Sequence, residues 1–205
     1  MKGCNKSAPS VVDAVDDDTC PCFLFASRTD NLVPIANTIE FMQALDRHDI
    51  SFESHVYAYA PHGFSTCDSS VQDKDTSMCD RIPDWVADSI GWLKDVLGDF
   101  GKGSMTKPVC GHYASGDREA YLSVDCTMGL LMSNPKAMAI LGDVLGGMMG
   151  GSSAQSNPMT EDMDQADIMA VVKKMKLRDA LAYGSTSAET VEALDARLRQ
   201  IENIR

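Results

Sequence analysis

The sequence predicts an α/β first half built on parallel strands, followed by a small and mostly α-helical segment. Three observations carry this. Residues 21–26 are a short apolar run, and residues 52–58 are a second strand-like run. Between them, residues 35–47 repeat apolar side chains at helical spacing. Strand, helix, strand in that order is a crossover connection, which makes the two strands parallel neighbours. Beyond residue 120 the apolar positions follow helical rhythm only.

The elements follow in chain order. Residues 1–19 are polar and acidic, with the run DAVDDD, and read as a loop. Pro21 to Ala26 suits a buried strand of a parallel sheet. Thr29, Asp30 and Asn31 break it. Pro34 stands where a helix can begin. Ile35, Ile39, Met42 and Leu45 then recur at steps of three and four, the stripe of a one-sided helix. Phe52, Ser54, Val56 and Ala58 alternate with Glu53, His55, Tyr57 and Tyr59, a period of two that fits a strand with one wetter face. Pro83 to Leu97 reads as a helix whose apolar face holds Trp85, Ile90, Trp92, Leu93 and Val96, with both tryptophans expected in core packing.

A Gly-rich stretch from Phe100 to Met105 marks a boundary. The expected division is 1–100 as the α/β part and 101–205 as a helical appendage. Nine of the 13 methionines fall between Met128 and Met175. Two short helices are expected there, the second opened by Asn134-Pro135. Residues 146–158 are rich in Gly, Ser and Asn and read as a flexible connector. Thr160 can cap a following helix. Thr186 with Glu189 has the capping-box spacing, ahead of a narrow seam of Val191, Leu194, Leu198 and Ile201.

Charge and cysteines exclude several functions. The net charge is -12. Residues 1–100 carry -10 of it and residues 101–205 carry -2. Affinity for a phosphate backbone comes from Lys and Arg, so no nucleic acid is expected as partner. Lys173, Lys174, Lys176 and Arg178 form the one basic cluster and read as a solvated helix face. No apolar run approaches the roughly 18 residues of a membrane span, so no membrane is expected. The seven cysteines are irregularly spaced, and no leader-like apolar segment opens the sequence. That pattern predicts free thiols in a reducing, cytoplasmic setting. Cys20 and Cys22 read as strand-edge residues, because no second ligand pair at metal spacing accompanies them. No cofactor or metal is expected.

Asp30 and His62 are the candidate catalytic residues. Each follows a strand of the crossover unit, so both belong on one rim of the sheet. A hydroxyl is a poor nucleophile at neutral pH. An imidazole can take its proton during attack, and a carboxylate can fix the imidazole's tautomer and stabilise its charged form. Taken singly, Asp30 can also be a turn residue bonded to its own backbone, and His62 a plain loop histidine. His48, His55 and His112 read as structural or surface residues. No G-x-S-x-G elbow occurs in the sequence. Gly150-Gly151-Ser152-Ser153-Ala154 comes near it but has no strand before it, and the elbow depends on a strained strand-to-helix turn. Ser27 and Ser65 have no elbow around them. A metal-dependent site of Asp30, His62 and Cys67 is a further alternative.

Several landmarks fall in order: Pro21 to Phe25, the run S-R-T-D-N-L-V-P, Asn37, Ala44-Leu45, Glu53 to Tyr57, Pro61-His62-Gly63-Phe64, Trp85 and Trp92-Leu93. With these, residues 11–98 resemble the C-terminal portion of an α/β-hydrolase, and are most similar to the acetyl-xylan-esterase-like, feruloyl-esterase-like branch of serine esterases. The resemblance implies a partial hydrolase sheet, with Asp30 as triad acid and His62 as general base. It implies a carboxylic-ester hydrolase acting on a small ester or an acetylated carbohydrate. The family's oxyanion-hole loop, nucleophile elbow and most of its sheet have no counterpart, so the chain is expected to be inactive alone and to need an N-terminal half. The alternative is a non-catalytic interaction or oligomerisation protein, with a second copy or an N-terminal chain as partner. Residues 120–204 are similar to a helical segment that follows some bacterial esterase and glycosidase-like modules, which implies no chemistry.

Overall fold

Two six-residue strands, β1 (Cys22–Ser27) and β2 (Phe52–Tyr57), pair in parallel in this computed structural model. Helix α1 (Ile35–Arg47) connects them. The structure describes residues 10–66, 72, 78–98, 111–149 and 164–204. The register sets Cys22 opposite Phe52 and Ser27 opposite Tyr57, so both strands end on one rim. The crossover unit expected from the sequence is therefore present.

The chain divides into two compact units, Met1–Ala114 and Ser115–Arg205. The division expected near residue 100 falls in 99–110, outside the described residues. Residues 111–114 belong with the first unit. Ser51 donates its N–H to His112 O, Ala114 N–H goes to Asp49 O, and Tyr113 bridges to Ile50.

Among the described residues the first unit has two small cores. Val15, Ala44, Leu45 and Ile50 form one, backed by Leu24, Phe41 and Phe52. Tyr57, Ala60, Phe64 and Ile82 form the other, beneath the loop after β2. Three features depart from simple periodicity. In α1 the buried residues are Ala44 and Leu45, while Ile39 is exposed. In β2 Val56 is exposed and Tyr57 is buried, because Phe64 folds back over Tyr57. Helix α2 (Asp84–Leu97) buries none of its residues. Trp85 stacks on Phe25 and Trp92 meets Phe23, but Ile90, Leu93 and Leu97 stay exposed. Among the described residues the sheet has two strands, too little surface to cover a helix face that broad.

The second unit is helical: α3 (Met128–Ser133), α4 (Pro135–Met149), α5 (Gln165–Lys174), α6 (Leu177–Tyr183) and α7 (Ala188–Leu198). Asn134 Oδ1 accepts from the N–H groups of Lys136 and Ala137 and opens α4 as expected. Residues 146–149, read in sequence as the start of the connector, close α4. The rest of that connector, with Thr160, lies outside the described residues. Ser187, not Thr186, caps α7, accepting from Thr190 N–H. Serine and threonine are both good caps, so the spacing rule chose the wrong neighbour.

Residues 120–127 thread the middle of this unit without becoming a strand. Leu122 N–H bonds Ile201 O, and Arg178 N–H bonds Val124 O. Asp195 accepts from Val124 N–H through one carboxylate oxygen and from Arg199 through the other. Leu122, Val124 and Cys126 thereby enter a core with Leu131, Leu177, Leu194 and Leu198. The expected α7 seam holds, with Leu194, Leu198 and Ile201 buried. Arg178 of the basic cluster pairs with Asp125 through two bonds. No helix among the described residues is long and apolar enough to cross a membrane.

Candidate active site

Hydroxyl groups at the end of β1 set the geometry of the rim. Ser27 Oγ donates to Ala60 O at 2.9 Å, and Thr29 Oγ1 donates to the same carbonyl at 3.2 Å. Ala60 N–H donates back to Thr29 Oγ1 at 3.1 Å. These bonds stitch the end of β1 to the segment after β2. Ala60 lies two residues before His62, so they also fix where the imidazole enters. Ser27 is buried, and its Oγ is already committed to Ala60.

The loop beyond His62 is pinned as well. Phe64 drops into the core against Tyr57 and Phe25. Trp85 Nε1 donates to Ser65 O at 2.9 Å, and Gln72 Nε2 donates to Gly63 O at 3.1 Å. Gly63 has φ +69°. Only glycine adopts that region freely, and it turns the chain between the exposed His62 and the buried Phe64.

Asp30 and His62 meet. His62 Nδ1 lies 2.9 Å from Asp30 Oδ2. The other carboxylate oxygen, Oδ1, accepts from Leu32 N–H at 2.9 Å and from Val33 N–H at 2.8 Å. Oδ1 makes the turn, and Oδ2 meets the histidine. The Asp30 side chain is 12% exposed and His62 is 45% exposed. The imidazole can be reached, and the carboxylate behind it is covered. Burial acts on Asp30 to raise its carboxyl pKa. The N–H of Val33, the His62 ring and the N–H of Leu32 outweigh it and hold that pKa below its ordinary value. An ionised Asp30 accepts a proton-bearing Nδ1, which leaves Nε2, on the far side of the neutral ring, as the basic nitrogen.

An open cavity of about 370 Å³ lies beside the pair, with Phe25, Val33, Thr38 and Phe64 among its walls. No cluster of His, Cys, Asp and Glu among the described residues could hold a metal ion. Cys67 and Ser152-Ser153 lie outside the described residues. The remaining histidines are held elsewhere: His48 by Asp17, His55 by Glu53, and His112 by Asp17 O. Sequence reading missed Ser27 and Thr29 as positioning residues. Two hydroxyls flanking a strand end, beside a candidate carboxylate, were the available signal.

Residues 5–98, just under half of the chain, match the prolyl oligopeptidase family. With the parallel β1–β2 pair, that match gives the first unit a partial α/β-hydrolase fold. No curated protein matches the chain. Among solved structures, a carboxylesterase from Lactobacillus plantarum is 24% identical, with 41% of this chain and 31% of that one covered and a TM-score of 0.39. A sugar hydrolase from Lactococcus lactis is 28% identical over 40% and 33% of the two chains, with a TM-score of 0.39. An acetyl ester-xyloside bifunctional hydrolase from Caldicellulosiruptor lactoaceticus is 24% identical over 40% and 27%, with a TM-score of 0.34. The chain spans about a third or less of the length of these proteins.

Proposed function

We propose that this chain carries the acid–base half of a serine-type carboxylic-ester hydrolase, with Asp30 as the acid that orients and His62 as the general base. The single observation behind the reading is the Asp30–His62 bond of 2.9 Å on the shared rim of two parallel strands. In this scheme His62 Nε2 takes the proton of an attacking hydroxyl and returns it to the departing alcohol. Asp30 stabilises the imidazolium formed in between. The nucleophile comes from outside the described residues, in the same polypeptide or a partner chain. The substrate class, a small or acetyl ester such as an acetylated carbohydrate, rests on the S-R-T-D-N-L-V-P and Pro61-His62-Gly63-Phe64 runs.

The test is fluorophosphonate labelling of the natural polypeptide, purified with whatever accompanies it, together with p-nitrophenyl acetate turnover. The expected result is a labelled serine, with turnover falling by roughly 10²–10⁴-fold in His62→Ala, the usual worth of a positioned acid–base group. Absence of any labelled serine, or turnover indifferent to His62→Ala, overturns the reading. A second reading, a non-catalytic interaction protein, is favoured by one observation: α2 leaves its apolar face uncovered.

A further inference from the structure

We propose that Cys20 and Cys22 are a redox-active dithiol, which closes to an intramolecular disulfide by exchange with a low-molecular-weight disulfide such as oxidised glutathione. The pair lies where the N-terminal turn enters β1, apart from the Asp30–His62 site. Cys20 is exposed and Cys22 is half-buried, and both are free thiols. Pro21 between them has a fixed φ, and a residue before proline is pushed to extended backbone. In extended chain, side chains two residues apart share a face. The Cys22 thiol donates to Cys20 O at 3.2 Å, which turns it back toward residue 20. Burial pushes the Cys22 thiol pKa up, and the adjacent Cys20 thiol raises it further.

The division of labour follows from exposure. The thiolate of Cys20 attacks one sulfur of the external disulfide. A mixed disulfide forms on Cys20 and one small thiolate leaves. Cys22, as its thiolate, then attacks the Cys20 sulfur and expels the second small thiolate. Two protein thiols are oxidised, one external disulfide is reduced to two thiols, and the two protons pass to the products. The Cα atoms of an extended Cys-x-Cys stand near the upper limit that a disulfide spans. The bond is therefore strained, and strained disulfides are readily reduced again. The Cys22 N–H is bonded to Ser51 O at the first register position of β1, so closure pulls on the start of the strand whose far end, Ser27, leads to Asp30.

The sequence supplies a clean readout. The tryptic peptide from Ser7 to Arg28 contains Cys20 and Cys22 and no other cysteine. The reduced full-length chain is equilibrated with mixtures of reduced and oxidised glutathione, quenched with iodoacetamide and digested. We expect this peptide to pass from doubly alkylated to unalkylated and two hydrogens lighter as the oxidised fraction rises. In Cys22→Ser the same peptide should stop as a glutathione adduct on Cys20. A wild-type peptide that stays doubly alkylated, or that accumulates one or two glutathione adducts without losing two hydrogens, overturns the proposal. The result is independent of ester turnover.

Discussion

Asp30 makes two kinds of bond with one side chain, and its titration separates them from the rest of the fold. Its folded pKa is held below the ordinary carboxylate value, with burial outweighed by the Val33 N–H, His62 and the Leu32 N–H. A depressed carboxyl stabilises the fold above the pKa of the unfolded chain, and that contribution disappears as pH falls through the lowered folded value. Asp30→Asn should therefore lower the denaturation midpoint at neutral pH, and the gap to wild type should close on acidification, as the native carboxyl also becomes neutral. A gap that persists unchanged into acid would mean that the charge of Asp30 contributes nothing. Gly63 gives a second test. A side-chain methyl placed there would meet no atom within 4 Å, so only the backbone at φ +69° resists substitution. Gly63→Ala should cost about 1 kcal/mol, the penalty of an L-residue in that region, read as a shift in urea midpoint. At this scale the sequence was informative for Asp30 and His62, because chemical type and strand-end position are both visible in it. Ser27 and Thr29 were legible only as two hydroxyls at a strand end and not by role, since their common partner, Ala60 O, is a backbone atom brought in by the fold.

Helices and strands were legible where their periodicity was strong, and less so where tertiary cover decides the outcome. The β1–α1–β2 crossover, the α4 start at Asn134-Pro135 and the α7 seam follow directly from spacing. The burial of α2 does not. Its pattern predicts a covered face, but covering it takes more sheet than two strands provide, and Ile90, Leu93 and Leu97 remain exposed. Helix α3 shows a contact that no periodicity announces. A methyl added at Gly129 would lie 3.0 Å from Lys173 O and 3.4 Å from Lys173 Cβ. Gly129 is the second residue of α3, and alanine's advantage over glycine in a helix, at most about 1 kcal/mol, alone predicts that Gly129→Ala stabilises. The Lys173 carbonyl belongs to the α5 backbone and cannot swing aside as a flexible side chain would. Crowding of that kind costs about 1–3 kcal/mol, so the net change should be a loss. Thermal denaturation of Gly129→Ala checks the sign: a higher midpoint would show that α5 yields at no cost.

The two units differ in how completely each closes its own core. Among the described residues the second unit buries eleven side chains in one cluster, from Leu122 to Ile201. The first unit has two clusters of four. Among the described residues its sheet has two strands, and isolated two-stranded sheets are marginal in water. Parallel strands are ordinarily covered on both faces, yet Phe25 and Val56 are 38% and 47% exposed, and Leu97 on α2 is 52% exposed. Uncovered apolar surface of this kind favours association. Two measurements follow. A fragment of residues 115–205 should unfold cooperatively and sediment as a monomer, since its eleven-residue cluster is drawn entirely from that stretch. Leu194→Ala should destabilise that fragment by about 2–5 kcal/mol, the range for emptying a buried leucine site. The whole chain should instead sediment as a concentration-dependent oligomer, and Leu97→Lys should reduce that association by placing a charge on the uncovered face. Both arms bear on the choice between a hydrolase portion that needs completion and a self-sufficient domain. If the whole chain stays monomeric across the accessible concentration range and unfolds in one cooperative step, the first unit is stable as it stands, and the case for a missing partner surface fails.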